Sequence, residues 1–229
     1  MSDDNYDAPT AEELAALPTV FRDDLFKDHV VLVSGGAGGI GMATAVLFGR
    51  LGATIVSCSR DEGKMAAFEA AMASIHVPCF TKAMTIRDAD QVSDLMAEVW
   101  DRYGRLDVLI NNAGFGTKNN FVDIPWRRSA DQLQLNIVAL TELTHRYAQA
   151  MKARGGGHIM NVASVGAYIP TPYYATYGAG KAYVRNFTEA VAFELRKTGV
   201  RLCCLCPGPT ESEFPEVAGH DIPKLARAT

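Results

Sequence analysis

The chain of 229 residues is 48% hydrophobic and 21% charged, with a formal net charge of -4 and a pI near 5.7. That length and apolar content suit one domain with a sizeable core, and the acidic balance argues against a general nucleic-acid partner. No apolar run approaches the roughly 20 residues needed to span a bilayer, and the acidic start MSDDNYDAPTAEELAALP resembles neither a secretory signal nor an Arg-rich transit peptide, so a cytoplasmic protein without a membrane partner is expected.

In chain order, residues 1–24 read as a flexible or loosely docked arm ahead of a domain spanning 25–229. HVVLVSG (29–35) is a short β-branched run that enters a glycine cluster, and IGMATAVLFGRLG behind it has helical periodicity. ATIVSCS (53–59) predicts a second strand and DEGKMAAFEAAMAS a second helix. VPCFTKAM (77–84) is the third strand, and DADQVSDLMAEVWDRYG the third helix, with Gly104 as its C-terminal stop. LDVLINNAG (106–114) is the fourth strand, followed by a long helical stretch over 127–153 and a fifth strand, GGHIMNVAS (156–164). A long helix over YATYGAGKAYVRNFTEAVAFELRKTG precedes the sixth strand, VRLCCLC (200–206). Apolar strands alternating with helices of ten or more residues imply a parallel sheet covered on both faces. The predicted fold class is therefore α/β: a Rossmann-type doubly wound sheet of about six strands in three α/β/α layers.

Five cysteines are present, and Cys203, Cys204 and Cys206 crowd the sixth strand without the CxxC spacing of a zinc site. They read as small buried hydrophobes, and no metal is expected.

Three features carry chemistry. The first is Ser34-Gly35-Gly36-Ala37-Gly38-Gly39-Ile40-Gly41, between the first strand and first helix. Glycines there let backbone approach a pyrophosphate at a helix N-terminus. The spacing is ambiguous: GxGxxG, GxxGxxG and GxxxGxG all fit. The second is Tyr177 and Lys181, four residues apart and so on one helix face. An ammonium beside a phenol stabilises the phenolate and lowers its pKa from about 10 towards a working range. The third is Ser164, thirteen residues upstream of Tyr177, whose hydroxyl could hold a substrate oxygen near the phenol.

In sequence order the glycine loop, NNAG at 111–114, Asn136 in LQLNIVAL, Ser164, Tyr177-xxx-Lys181 and Pro207-Gly208 resemble the short-chain dehydrogenase/reductase family in its compact single-domain branch, from about Phe26 to Phe214. The resemblance selects the GxxxGxG register and implies a set of roles. Gly35, Gly38, Gly39, Ile40 and Gly41 would hold the cofactor pyrophosphate; Asn112, Ala113 and Gly114 would line its adenosine and ribose side. Asn136 would hold a water linking Lys181 to solvent, Ser164 would orient the substrate oxygen, and Tyr177 would exchange the proton. Lys181 would bind the nicotinamide ribose, and Pro207, Gly208 and Thr210 would meet the nicotinamide end.

At the end of the second strand an acidic residue would favour NAD. Ser59 and Arg60 stand there instead, a hydroxyl and a fixed cation suited to a 2′-phosphate. NADP(H) is favoured and NAD(H) stays possible, since Asp61 is adjacent. Thr85-Ile86 replaces the family's usual Asp-Val/Leu near the adenine. Phe115, Tyr168, Tyr174 and Phe214, with Ile169, Pro170 and Tyr173, suggest an apolar wall for a hydrophobic ketone, aldehyde or alcohol. The family usually adds a seventh strand after the Pro-Gly segment. This chain stops at Thr229, so its sixth strand is expected to form an edge that is covered by another subunit or a terminal segment, or else leaves the protein marginally stable. The helices over 127–153 and 175–198 resemble the family's dimer-forming pair, so a homodimer or homotetramer is expected. An NAD(P)-dependent oxidoreductase is the first reading, and a non-catalytic dinucleotide-binding sensor or assembly module the alternative. A sugar-nucleotide epimerase would need a second substrate domain.

Overall fold

A computed structural model of the chain describes residues 9–210 and 214–219. Six parallel strands form one sheet in the order β3-β2-β1-β4-β5-β6: β1 (Val30–Ser34), β2 (Thr54–Ser59), β3 (Cys79–Ala83), β4 (Val108–Asn111), β5 (Gly157–Val162) and β6 (Val200–Leu205). The order reverses between β1 and β4, the point at which doubly wound sheets open a crevice at the carboxyl ends of their strands. The sequence placed all six strands, with ends up to three residues too generous.

Strand alternation sorts the core. Val30 and Leu32 face one way and pack with Val92, Leu95 and Val99 of α4 (Ala89–Tyr103) and with Leu143, Tyr147 and Met151 of α6 (Leu140–Arg154). Val31 and Val33 face the other way, onto Ala45 and Val46 of α2 (Gly39–Arg50) and Met65, Phe68 and Met72 of α3 (Glu62–Ser74). The expected three layers are there. Gly104 ends α4 at φ 66°, its amide donating to the Trp100 carbonyl at 2.8 Å.

Three details differ from expectation. Within the arm, residues 1–8 lie outside the described residues, but Ala11–Ala16 form a helix, α1, with a capping box between Thr10 and Glu13. Ala11 is buried with the α2–α3 core, and Arg50 donates to the Leu17 carbonyl at 2.5 Å, so this part of the arm is docked. The helix predicted over 127–153 is three pieces: α5 (Trp126–Leu133), a π-helical segment Gln134–Ala139, and α6. The cysteines of β6 and the one just after it are not fully buried, because β6 is an edge strand: Cys203 is exposed, and Cys204 and Cys206 are half-buried against α7 (Ala175–Leu195). Residues 220–229, on which the expectation of a shortened C-terminal end bears, lie outside the described residues. No helix among those described is long and apolar enough to cross a membrane.

Candidate active site

A cleft of about 1070 Å³ runs along the carboxyl ends of the strands, from the β2–α3 turn to α7. The β1–α2 turn forms its floor. Gly35 and Gly39 have φ of +66° and +49°, the left-handed region that L side chains rarely adopt. A Cβ on Gly41 would lie 2.3 Å from the Gly35 carbonyl oxygen. The left-handed φ at Gly35 and Gly39 matches the GxxxGxG register, and Gly36 is crowded as well, with its Cβ position 2.5 Å from Ser57 Oγ. The first-turn amides of α2 have no intrahelical partner and carry the positive end of the helix dipole.

This turn is braced by the loop after β4. The Ser34 hydroxyl accepts from the Asn112 and Ala113 amides at 3.1 Å each, and Asn112 Nδ2 donates to the Gly35 carbonyl at 2.9 Å. Asn112 is thus a strut between the two loops as well as a cleft residue. Ser34 was not foreseen, although its place at the end of a buried strand facing a second loop was a signal.

At the β2–α3 end, Ser59 and Arg60 line the cleft. Asp61 is committed to capping α3, accepting from the Lys64 amide at 3.0 Å, and its own amide donates to Ser59 Oγ at 3.3 Å. Thr85 lines the wall, and Ile86, 7% exposed, sits largely in the core. Lys64 and Arg87 also reach this end, as sequence reasoning had not anticipated, and Arg87 pairs with Asp131 of α5 at 2.7 Å.

Ser164, Tyr177 and Lys181 converge at the other end. Ser164, after β5, caps a short 3-10 turn by accepting from the Gly166 amide at 3.1 Å, and it lines the cleft together with Tyr177. Lys181 is buried: its Nζ donates to the Val162 carbonyl at 2.7 Å and lies 5.7 Å from the Tyr177 ring centroid. Burial pushes the Lys181 pKa down to about 8, with Cys204 and Cys206 acting in the opposite direction. The phenol moves the other way from the sequence expectation. Burial raises the Tyr177 pKa and the nearby Tyr174 adds to it, while the Ser164 hydroxyl opposes them. Desolvation wins because the ammonium is aimed at Val162 rather than at the phenolic oxygen.

Asn136 lies in the π-helical segment, 3% exposed and behind the cleft wall. Its Oδ1 accepts from the Phe115 amide at 3.1 Å and its Nδ2 donates to the Phe115 carbonyl at 2.8 Å. The amide is directed at the loop after β4 rather than towards Lys181. A π-bulge re-aims side chains locally and is frequent at functional sites.

Phe115, Tyr174 and Phe214 line this end, and the Phe214 ring lies 5.2 Å from that of Tyr177. Tyr168 does not join them: it is 61% exposed, with the Arg185 guanidinium 4.4 Å over its ring. The 3-10 turn after Ser164 carries it outward, which sequence spacing could not reveal. Gly38, Ile40, Ala113, Gly114, Pro207, Gly208 and Thr210 all line the cleft, whereas Gly41 supports it from beneath. Arg128, Thr171 and Val217 are further lining residues that sequence reasoning missed.

Comparison with known proteins adds an independent line. The profile of the short chain dehydrogenase family matches residues 29–222. The Mycobacterium tuberculosis protein named "Probable oxidoreductase EphD" is 32% identical over 199 residues, 86% of this chain, but the chain spans only 34% of that protein's length. A 3beta-hydroxysteroid dehydrogenase of Mediterraneibacter gnavus is 32% identical over 201 residues, 86% of this chain and 71% of that one. The crystal structure of a metagenomic short-chain oxidoreductase in complex with NADP superposes with a TM-score of 0.76 at 30% identity, covering 80% of this chain and 84% of that one.

Proposed function

The chain belongs to the short-chain dehydrogenase family, and on that premise we propose that it is an NADP-preferring oxidoreductase that interconverts a hydrophobic ketone or aldehyde and its alcohol, with Tyr177 exchanging the proton. The observation that carries this reading is the convergence of Ser164, Tyr177 and Lys181 on one cleft whose far end is a glycine turn at a helix N-terminus. The turn fits a dinucleotide because Gly41 has no room for a Cβ and Gly35 and Gly39 hold the left-handed geometry a pyrophosphate cradle needs. A bound nicotinamide dinucleotide supplies or accepts the hydride.

The chain's own residues do the rest. Ser164 holds the substrate oxygen beside the Tyr177 phenol. Tyr177, kept protonated by burial, donates to the forming alkoxide in the reductive direction. Lys181 places a buried positive charge beneath the tyrosine and near the ribose position. Phe115, Tyr174 and Phe214 exclude water and favour an apolar substrate body. NADP preference rests on Arg60, which has no hydrogen-bond or ion-pair partner among the described residues and is available to a 2′-phosphate, and on the occupation of Asp61 as a helix cap. A homo-oligomer is part of this reading, built through the helical stretch from α5 to α6 and through α7, where Val138 of the π-helical segment and Tyr183 and Phe193 of α7 expose apolar surface.

The test follows NADPH and NADH absorbance against a panel of hydrophobic ketones, aldehydes and secondary alcohols. The expected result is turnover with NADPH preferred, and a loss of kcat of about 10²–10⁴-fold in Tyr177→Phe with NADPH affinity unchanged. Undiminished turnover in the variant would sink the proton-donor role. NADPH binding without turnover of any compound would favour a sensor or assembly module.

A further inference from the structure

We infer that Arg128 is a positioning residue that latches the short helix α8 (Phe214–Ala218) over Tyr177, and so controls how substrate reaches the phenol. Five residues are too few for a helix to persist by its own hydrogen bonds, and its last carbonyls have no intrahelical partner. Here those carbonyls are taken from outside. Arg128 Nη2 donates to the Val217 carbonyl at 2.7 Å, and the Lys118 amide donates to the Ala218 carbonyl at 3.0 Å. Arg128 is itself held at two further points. Its Nε donates to Thr117 Oγ1 at 3.3 Å, and its guanidinium stacks 4.4 Å over the Phe115 ring. One side chain on α5 thus joins the loop after β4 to the carboxyl end of α8.

The amino end of α8 is seated independently. The Phe214 ring lies 5.2 Å from the Tyr177 ring, in space left by Gly116, where a Cβ would meet Phe214 Cζ at 2.6 Å. Ala218 is 3% exposed, so the helix is packed down rather than lying loosely on the surface. No carboxylate among the described residues pairs with Arg128. Its charge is spent on a carbonyl, a hydroxyl and a ring, and charge-assisted bonds to neutral acceptors are the stronger kind. Lysine could reach the Val217 carbonyl but could not fork to Thr117 or stack on Phe115. With the latch engaged, Phe214 closes the phenol from solvent and gives the substrate's apolar body a fixed wall. Released, α8 leaves Tyr177 open to water.

The consequence for substrates rests on the reductase reading; the latch itself does not. Hydrogen exchange on the full chain, free of cofactor, compares wild type with Arg128→Ala and Arg128→Lys. Exchange in the segment 214–218 is expected to rise about 10-fold in the alanine variant and by an intermediate factor in the lysine variant, with the strands protected as in wild type. In the ketone panel KM is expected to rise about 10-fold with kcat within about 3-fold, and NADPH affinity unchanged. Wild-type protection of 214–218 in Arg128→Ala overturns the latch. If that variant loses strand protection as well, the lysine variant decides: unchanged exchange in 214–218 overturns the proposal. Absence of turnover by the wild-type enzyme would remove the reductase reading and leave the exchange result to judge the latch.

Discussion

Lys181 shows at the scale of one residue how burial and charge compete in this site. It is 6% exposed and makes one hydrogen bond, to the Val162 carbonyl, and burial brings its pKa to about 8 from 10.5. At pH 7 it stays mostly protonated, an ammonium kept in poor solvent. Its folded-state pKa is depressed, so between about 8 and 10.5 the unfolded chain holds more protons than the native one. Stability attributable to this group is therefore lowest below pH 8 and rises as pH climbs through that window. Lys181→Met, which retains the stem and removes the charge, is expected to unfold at higher urea concentration than wild type at pH 7, while losing turnover. Urea melts from pH 7 to 10.5 check this: the gap should narrow as pH rises, and a constant or widening gap refutes the account. The four-residue spacing to Tyr177 made the shared helix face legible in the sequence. The depth of burial was not, because it depends on Val162 and β6 arriving from other parts of the chain.

Three elements carry features that short-range pattern could not disclose. The first turn of α2 was foreseen as a phosphate cradle, yet three glycine registers fitted the letters equally well. The register follows from backbone conformation, since Gly35 and Gly39 hold left-handed φ of +66° and +49°; Gly41, common to all three registers, is required because the Gly35 carbonyl and Asn112 Nδ2 lie 2.3 and 2.7 Å from where its Cβ would stand. Gly41→Ala must therefore push the β1–α2 turn and its strut apart. The expected outcome is NADPH binding weakened at least about 10-fold and a melting temperature lower by several degrees, about 1–3 kcal/mol of overpacking. Fluorescence titration and calorimetry measure the two, and wild-type values for both would refute the cradle. The π-helical segment is the second case. Apolar periodicity over 127–153 reads as one helix, and a single extra residue in one turn leaves almost no trace in that pattern. That turn aims Asn136 at Phe115 and so fixes the loop bearing Gly114 and Phe115. Likewise α1, with its capping box at Thr10 and Glu13, was readable from local sequence as a helix start, but its docking against α2 and α3 required those helices to be in place.

At the scale of the whole molecule, edges and surfaces govern association. β6 ends the sheet, with Leu205 40% exposed and Cys203 exposed beside it, and unpaired strand edges invite association. Apolar surface also lies along the proposed subunit contact, at Val138 (47% exposed) and Phe193 (66%). Light scattering on a sizing column is expected to give two or four times the chain mass of 24.7 kDa. Val138→Glu should shift that mass towards the monomer, and a wild-type mass for the variant would move the contact elsewhere. The sequence by itself determined the order of the strands, the three-layer fold and the choice of Ser164, Tyr177 and Lys181 as candidates for the chemistry. These follow from apolar periodicity, glycine placement and motif order, all local properties of the chain. Tertiary structure decided the glycine register, the aim of Asn136, the raised phenol and lowered ammonium, the exclusion of Tyr168 from the cleft and the reach of Arg128 to α8. Each of those depends on which distant segments share a few ångströms of space, and desolvation and hydrogen bonding act at that distance whatever the separation along the chain.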